Sequence, residues 1–360
     1  MMKMIYKPLS ADPENYYVNY EMRPNIRRVG EFSLDENCNF LNKQRTAARY
    51  LREIYGYTNF LQKPLSLKEG YFTWIPFKRG EQLPQIQRWI IETASKGQNL
   101  NEVTDAKIVT DRAILVNVAI SPYFLDKDGL KIVCQKYNGV IFMKEFETYK
   151  KKRTESDIMK DAEKKVLVYG GNKFQQLISK PENEDTDNSE QVNGHVQFCA
   201  VFNADFEGIK VLYRAQINCL TPDGREYLEA KTQKCNIGGG PHFARKALKW
   251  WIQAYLTTAH KLVLGIRNES HSLCKTHFLD INRMLEFGST WDVNVCFVFL
   301  RKFLRTVRDI MSHLMDNYVL IIECKPYNYE FTFEVLEEKN NRAKEYAFIE
   351  QDLKKHFQSY

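Results

Sequence analysis

Nowhere in these 360 residues is there a run of about 18 apolar side chains, so no membrane-spanning helix is expected. The opening MMKMIYKPLSADPENYY has no apolar stretch of the kind that forms a secretory signal. The eight cysteines form no C-x-x-C pair, which argues against a zinc ribbon or a thioredoxin-like site and for reduced thiols inside the cell. The seven histidines show no metal-ligand spacing; His271 and His277 fall six apart in a loop-like stretch. Gly238-Gly239-Gly240 is not followed by Gly-Lys-Ser/Thr, so it is no nucleotide-binding loop but a flexible connection. There is no internal repeat and no Pro- or Gly-rich linker, and the chain reads as one domain over 1–360.

What is present is ample core material: 44% hydrophobic and 13% aromatic residues. The net charge of +7 suits a nucleic-acid partner and many other partners equally. Residues 180–194, KPENEDTDNSEQVNG, are acidic and nearly free of apolar side chains, and read as a disordered surface loop. Lys150 to Lys165 reads as a charged helix leading into a short strand, VLVYG. Strands are expected at Val196–Phe202, Gly208–Cys219, Tyr227–Thr232 and Lys261–Ile266. Helices are expected at Ala244–Leu256 and Cys296–Met315. Paired strands follow over Tyr318–Glu334, and a polar helix that could fray covers Leu336–Phe357. The class is α+β (mixed α/β): a single domain of twisted mixed sheets flanked by helices, around one sheet system.

The most informative stretch is Val211 to Lys234. TPDG at Thr221–Gly224 is a type I turn signal. If those four residues form the whole loop, Gln216 faces Glu229, and Gln216, Asn218, Glu229 and Lys231 share one face of a hairpin. A solvated sheet face would show the same polar cluster. Arg301, Lys302, Arg305 and Arg308 line one side of a helix, either as a solvated face or as an RNA track. Trp250 and Trp251 point about 100° apart, so at least one belongs to the core.

The order of these motifs resembles the decapping exoribonuclease (DXO-type) family, whose enzymes remove aberrant caps and digest RNA from the 5′ end. Its E-φ-D strand (φ, an apolar residue) is matched by Gln216-Ile217-Asn218 and its E-φ-K strand by Glu229-Ala230-Lys231. Its G-x-K-φ-E is matched by Gly171 to Gln175, and its K-W-W-x-Q by Lys249 to Gln253. Further segments fit at Arg27–Asp35, Thr110–Tyr123, Asn138–Thr148 and Thr290–Phe299. The resemblance implies that Arg112 meets the RNA 5′ phosphate, Lys231 the scissile phosphate and Gln253 the attacking water. It also implies a two-metal reaction whose carboxylates are here Gln175, Gln216 and Asn218, with Glu229 the one acid left.

Hard divalent cations need charged oxygens, and amides of the same volume supply none. The sequence is therefore expected to encode a non-enzyme without metal or cofactor, with weak or altered 5′-end hydrolysis as the alternative. Asp111 and Asn117 replace the family's tryptophan and lysine, so the change extends beyond the ligands. The pattern is similar to a degenerate germline branch of the family in insects. That resemblance implies a nuclear binding or scaffold protein in piRNA precursor expression, gene silencing and transcription termination. Its partners would be chromatin-associated adaptor proteins of that pathway and RNA 5′ ends.

Overall fold

The computed structural model describes residues 3–77, 82–124, 127–182, 190–234, 237–238, 241–337 and 339–358. Two sheets carry the fold, where the sequence suggests one system. The ten-stranded sheet runs in the order β1 (Lys3–Ser10), β17 (Glu330–Glu337), β16 (Tyr318–Cys324), β7 (Leu130–Tyr137), β8 (Val140–Phe146), β6 (Ile108–Asp111), β11 (Lys210–Gln216), β10 (Gln197–Asp205), β2 (Asn25–Leu34) and β3 (Phe40–Asn42). The seven-stranded sheet runs β5 (Asn59–Ser66), β15 (Ser272–Asp280), β14 (Lys261–Arg267), β13 (Tyr227–Lys234), β12 (Cys219–Leu220), β4 (Tyr50–Leu51) and β9 (Ser179–Lys180). Antiparallel pairs dominate, with parallel pairs at β6–β8, β6–β11, β13–β14 and β4–β12.

Among the described residues the α-helices are α1 (Gln82–Thr93), α2 (Leu100–Thr104), α3 (Arg112–Ala119), α4 (Tyr149–Lys160), α5 (Ala162–Ile178), α6 (Pro241–Tyr255), α7 (Val293–Ser312), α8 (Asn341–Lys344) and α9 (Gln351–His356). The largest core draws on both sheets and on α3, α6 and α7. Trp250 and Trp251 are both buried in it, and Trp251 stacks on Tyr255 at 5.0 Å between ring centroids. The mixed α+β class with curled sheets and flanking helices is the one expected.

Three local expectations are corrected. VLVYG is helix, not strand. Asp161 ends α4 and caps α5 by accepting from Glu163 N and Lys164 N, and the chain continues helically through Gly170 and Gly171. Tyr169, Phe174, Leu177 and Ile178 then fall on the buried face at helical spacing. Leu336–Phe357 is not one fraying helix. Leu336 closes β17, and the rest is two short helices whose Ala343, Phe348, Ile349, Leu353 and Phe357 join a second core with Leu336.

The third concerns the hairpin. The Thr221–Gly224 turn forms, with Gly224 N donating to Thr221 O at 2.9 Å and Gly224 at φ 70°. The loop is two residues longer than TPDG, however: Leu220 pairs with Tyr227 and Cys219 with Leu228. After two such pairs the strand leaves for the other sheet, where β11 pairs with β10 and β6. Gln216 and Glu229 thus come from different sheets and do not share a hairpin face.

Of the expected acidic loop, residues 183–189 lie outside the described residues. Its downstream flank is docked: Gln176 Nε2 donates to Glu190 O at 2.9 Å, and Gly194 N donates to Ile75 O at 2.7 Å. Cys235, Gly239 and Gly240 also lie outside the described residues.

Candidate functional site

Where β6 hands over to α3, Asp111 caps the helix by accepting from Ala113 N at 2.8 Å. That cap fixes the direction of the next side chain, Arg112. Burial raises the Asp111 carboxyl above the usual range, against the pull of Arg214. Asp111 is thus occupied by helix capping. Asn117, further along α3, donates to Glu145 Oε2 at 3.2 Å.

Glu229 sits in the interior of β13 and is only 3% exposed. Two cations converge on it: Arg112 Nη1 at 2.5 Å from Oε1 and Lys231 Nζ at 2.8 Å from Oε2. Their side chains are 13% and 19% exposed, so all three charges are largely withdrawn from water. Burial alone would raise the Glu229 carboxyl, but Lys231 and Arg112 outweigh it and hold the group below its ordinary 4.5. The cluster carries two positive charges and one negative, a net +1.

The Arg112 fork does more than pair. Nη1 also donates to the Gln253 carbonyl at 3.2 Å, and Nη2 reaches the Gln216 carbonyl at a long 3.5 Å. One guanidinium thus ties together β11 of one sheet, β13 of the other and α6.

Next to Gln216, whose carbonyl Arg112 reaches, lies a cavity of about 450 Å³ whose wall includes Gln175 from α5, and Gln216 and Asn218 from the crossover. Arg49 and Asn172 line the same cavity. Arg49 donates to Ser179 Oγ at 3.0 Å and to Ser179 O at 3.1 Å, fixing the end of α5. A second cavity, of about 660 Å³, is lined by Gln253, Asp111 and Asn117 together with Lys144, Lys151 and Lys249 and the acids Glu145 and Glu147. The structure thus brings Arg112, Glu229 and Lys231 into direct contact. Gln175, Gln216 and Asn218 share one flanking cavity, and Gln253 opens onto the other. Asn172 is the variable position of the Gly171–Gln175 motif, which does not single it out, and Arg49 follows no motif spacing; only the fold brings them to this wall.

This donor set does not fit a pair of divalent cations. Of the four positions one is a carboxylate, and that one is already neutralised by two fixed cations. Among the described residues no group of three or more His, Cys, Asp or Glu side chains could hold a metal ion.

The RAI1 like PD-(D/E)XK nuclease family matches residues 25–354. This chain belongs to that family. Its relatives include "Decapping nuclease dom-3" of Caenorhabditis elegans, 26% identical over 315 residues, with 83% of this chain and 79% of that protein covered. They also include "Decapping and exoribonuclease protein" of Bos taurus, 26% identical over 317 residues, covering 82% of this chain and 77% of the relative. Among solved structures, Scheffersomyces stipitis Rai1 in complex with (3'-NADP)+ and calcium ion superimposes with a TM-score of 0.79 at 17% identity, over 100% of this chain and 99% of that one. Candida albicans Rai1 in complex with pU5-Mn2+ superimposes with a TM-score of 0.76 at 14% identity, over 98% and 99%.

These matches correct the expectation of a non-enzyme. The family is enzymatic, its relatives are named as decapping nucleases, and Rai1 structures hold metal and nucleotide. The altered ligand set is a feature of this chain within an enzyme family, and no reaction step through a metal is derived from it. No described helix is long and apolar enough to cross a membrane.

Proposed function

We propose that this chain engages the 5′ end of RNA in the cleft between its two sheets, with Arg112 and Lys231 taking the terminal phosphates and Gln253 lining the approach. One observation carries the reading: two cations converge on a single buried carboxylate and leave a net +1, and Arg112 holds the carbonyls of Gln216, which lines one cavity, and Gln253, which lines the other. A phosphate oxygen that enters there gains charge-assisted hydrogen bonds from donors already held in place. Membership of an RNA-nuclease family supports RNA as the ligand.

Fluorescence anisotropy with a 5′-phosphorylated pentanucleotide tests this. Arg112→Glu with Lys231→Glu is expected to weaken binding at least about tenfold at low salt, with a shallower salt dependence because few phosphates are neutralised. Equal affinity of the variant, or of a 5′-hydroxyl RNA, overturns the reading. Family membership also favours turnover of capped or 5′-monophosphate RNA in manganese. If turnover is seen and Glu229→Gln removes it, hydrolysis belongs to this cleft.

In its finer form the reading places the chain in the nucleus, holding the 5′ ends of piRNA precursors. There it opposes their end-processing and early termination of transcription, recruited by a chromatin-associated adaptor. Support comes from the amides at Gln175, Gln216 and Asn218 beside a retained Glu229 and Lys231, the pattern of the insect germline branch. Charge reversal at Arg112 and Lys231 is then expected to release RNA and leave adaptor recruitment intact. If recruitment fails instead, the cleft is the adaptor's site and this form of the reading is dropped.

A further inference from the structure

The outward face of α7 meets a short 3-10 helix, Pro13–Tyr16, across a groove of about 360 Å³. It is lined by Asn15, Tyr16, Val298, Arg301, Lys302 and Arg305. Arg301 pairs with Glu207 at 2.8 Å. Lys302 and Arg305 have no carboxylate partner among the described residues. Three cations against one carboxylate leave the groove at +2. The Nε atoms of both Arg301 and Arg305 are buried without a hydrogen-bond acceptor among the described residues. Those two atoms are closed to a ligand, so a phosphate in the groove would be met by the outer nitrogens of the Arg305 guanidinium. Arg308, the next cation on the helix, is held by Asp309 at 2.8 Å and takes no part.

We propose that this groove is a second RNA contact, outside the cleft, that binds the phosphodiester backbone through Lys302 and Arg305. A guanidinium offers a planar fork that matches two oxygens of one phosphate, and the neighbouring ammonium takes the next as a point charge. Tyr16 gives an apolar wall: its hydroxyl is spent on Ser10 O, and its ring sits edge-on to Phe299 at 5.1 Å. The groove meets the β10–β11 turn through Glu207. The cleft begins at Gln216, the other end of β11, so the two sites lie about 20 Å apart along that strand. A 5′-phosphorylated dinucleotide held in the cleft is too short to span that distance and leaves the groove empty, whereas a long strand reaches both. The role as RNA contact rests on the cleft reading above, and the probes separate the two.

The experiment places Lys302→Gln and Arg305→Gln in one chain and compares it with the unchanged protein, using a 5′-phosphorylated dinucleotide and a single-stranded RNA of about 30 nucleotides. The double variant is expected to bind the long RNA about tenfold more weakly. Its salt slope should fall by about 0.7 for each phosphate that is no longer neutralised. Dinucleotide binding should stay unchanged, which also reports an intact fold. Unchanged affinity for the long RNA overturns the proposal, as does equal weakening for both probes, which marks general disruption. If polyglutamate of matched charge displaces the long RNA as readily as RNA itself, the groove prefers acidic peptide and the assignment falls. If the unchanged protein ignores the dinucleotide while the long RNA still depends on Lys302 and Arg305, the cleft reading fails and the groove stands.

Discussion

Glu229 is the residue on which the site's electrostatics turn. It compensates Arg112 and Lys231, and removing it leaves two largely buried cations facing one another. Breaking such a cluster costs about 3–5 kcal/mol. Glu229→Gln keeps the volume, so it is expected to destabilise by roughly 2–4 kcal/mol in urea unfolding at neutral pH through the charge alone. The pH dependence has a defined sign. A carboxylate depressed below 4.5 stabilises the folded state fully above that value, and its contribution disappears as pH falls through the depressed one. The stability difference between the unchanged protein and Glu229→Gln should therefore be flat above about pH 5.5 and shrink below about 4.5. A gap that is constant down to about pH 3 would remove the ion cluster as its cause. The amides invite the converse measurement. Gln175→Glu, Gln216→Glu and Asn218→Asp together should raise manganese affinity in calorimetry by at least about tenfold, because hard cations bind charged oxygen. No gain would show that their oxygens do not converge.

At the scale of elements, α5 delivers Gln175 to the cleft, and Gly265 in β14 is what lets it approach. A Cβ at Gly265 would lie 2.5 Å from a ring carbon of Phe174 and 2.8 Å from Leu273 Cδ1. Gly265→Ala should push α5 off the sheet at a cost of about 1–3 kcal/mol, read as faster amide exchange along α5 than along α7. Uniform exchange across both helices would mean the sheet, not the helix, gives way. The helix also shows where the sequence was legible. The pattern of apolar residues located α6, α7, β10, β13 and β14 to within a few residues: the helices have one buried face at helical spacing, and β10 and β14 are short runs buried on both faces. It misread Val166–Gly170 because a short apolar run beside two glycines looks like a strand ending in a turn. The capping carboxylate of Asp161 was the contrary signal. The hairpin was half legible: TPDG marks its turn, but nothing local says that the strand changes sheets after Asn218. The motif residues were found through resemblance. That Arg112 would be the one to hold Glu229 depends on β6 lying beside β11, a pairing of segments distant in sequence that no local pattern encodes.

For the whole molecule, Arg112 is the point where the two sheets are coupled at the cleft. Its guanidinium holds Glu229 of the seven-stranded sheet, the Gln216 carbonyl at the end of the ten-stranded sheet's β11, and the Gln253 carbonyl of α6. The cores beneath are separate: one fills the space shared by the sheets, and another lies under α5 on the far side of the seven-stranded sheet. Relative motion of the layers is resisted by the core they share and, at the cleft, by these polar contacts. Arg112→Lys keeps the charge and the attraction to Glu229 but gives up the planar fork that spans three elements. If the fork's geometry matters, this variant should be less stable by about 0.5–1.5 kcal/mol, the net worth of a hydrogen bond, because the Gln253 carbonyl contact is only part-buried and the Gln216 contact is exposed. It should also bind the 5′-phosphorylated pentanucleotide more weakly while its salt slope stays the same, because the number of positive charges has not changed. A lysine variant with native stability and native RNA affinity would mean that charge alone serves at this position. The coupling of the sheets would then rest on the shared apolar core, with Arg112 as a ligand of Glu229 and nothing more.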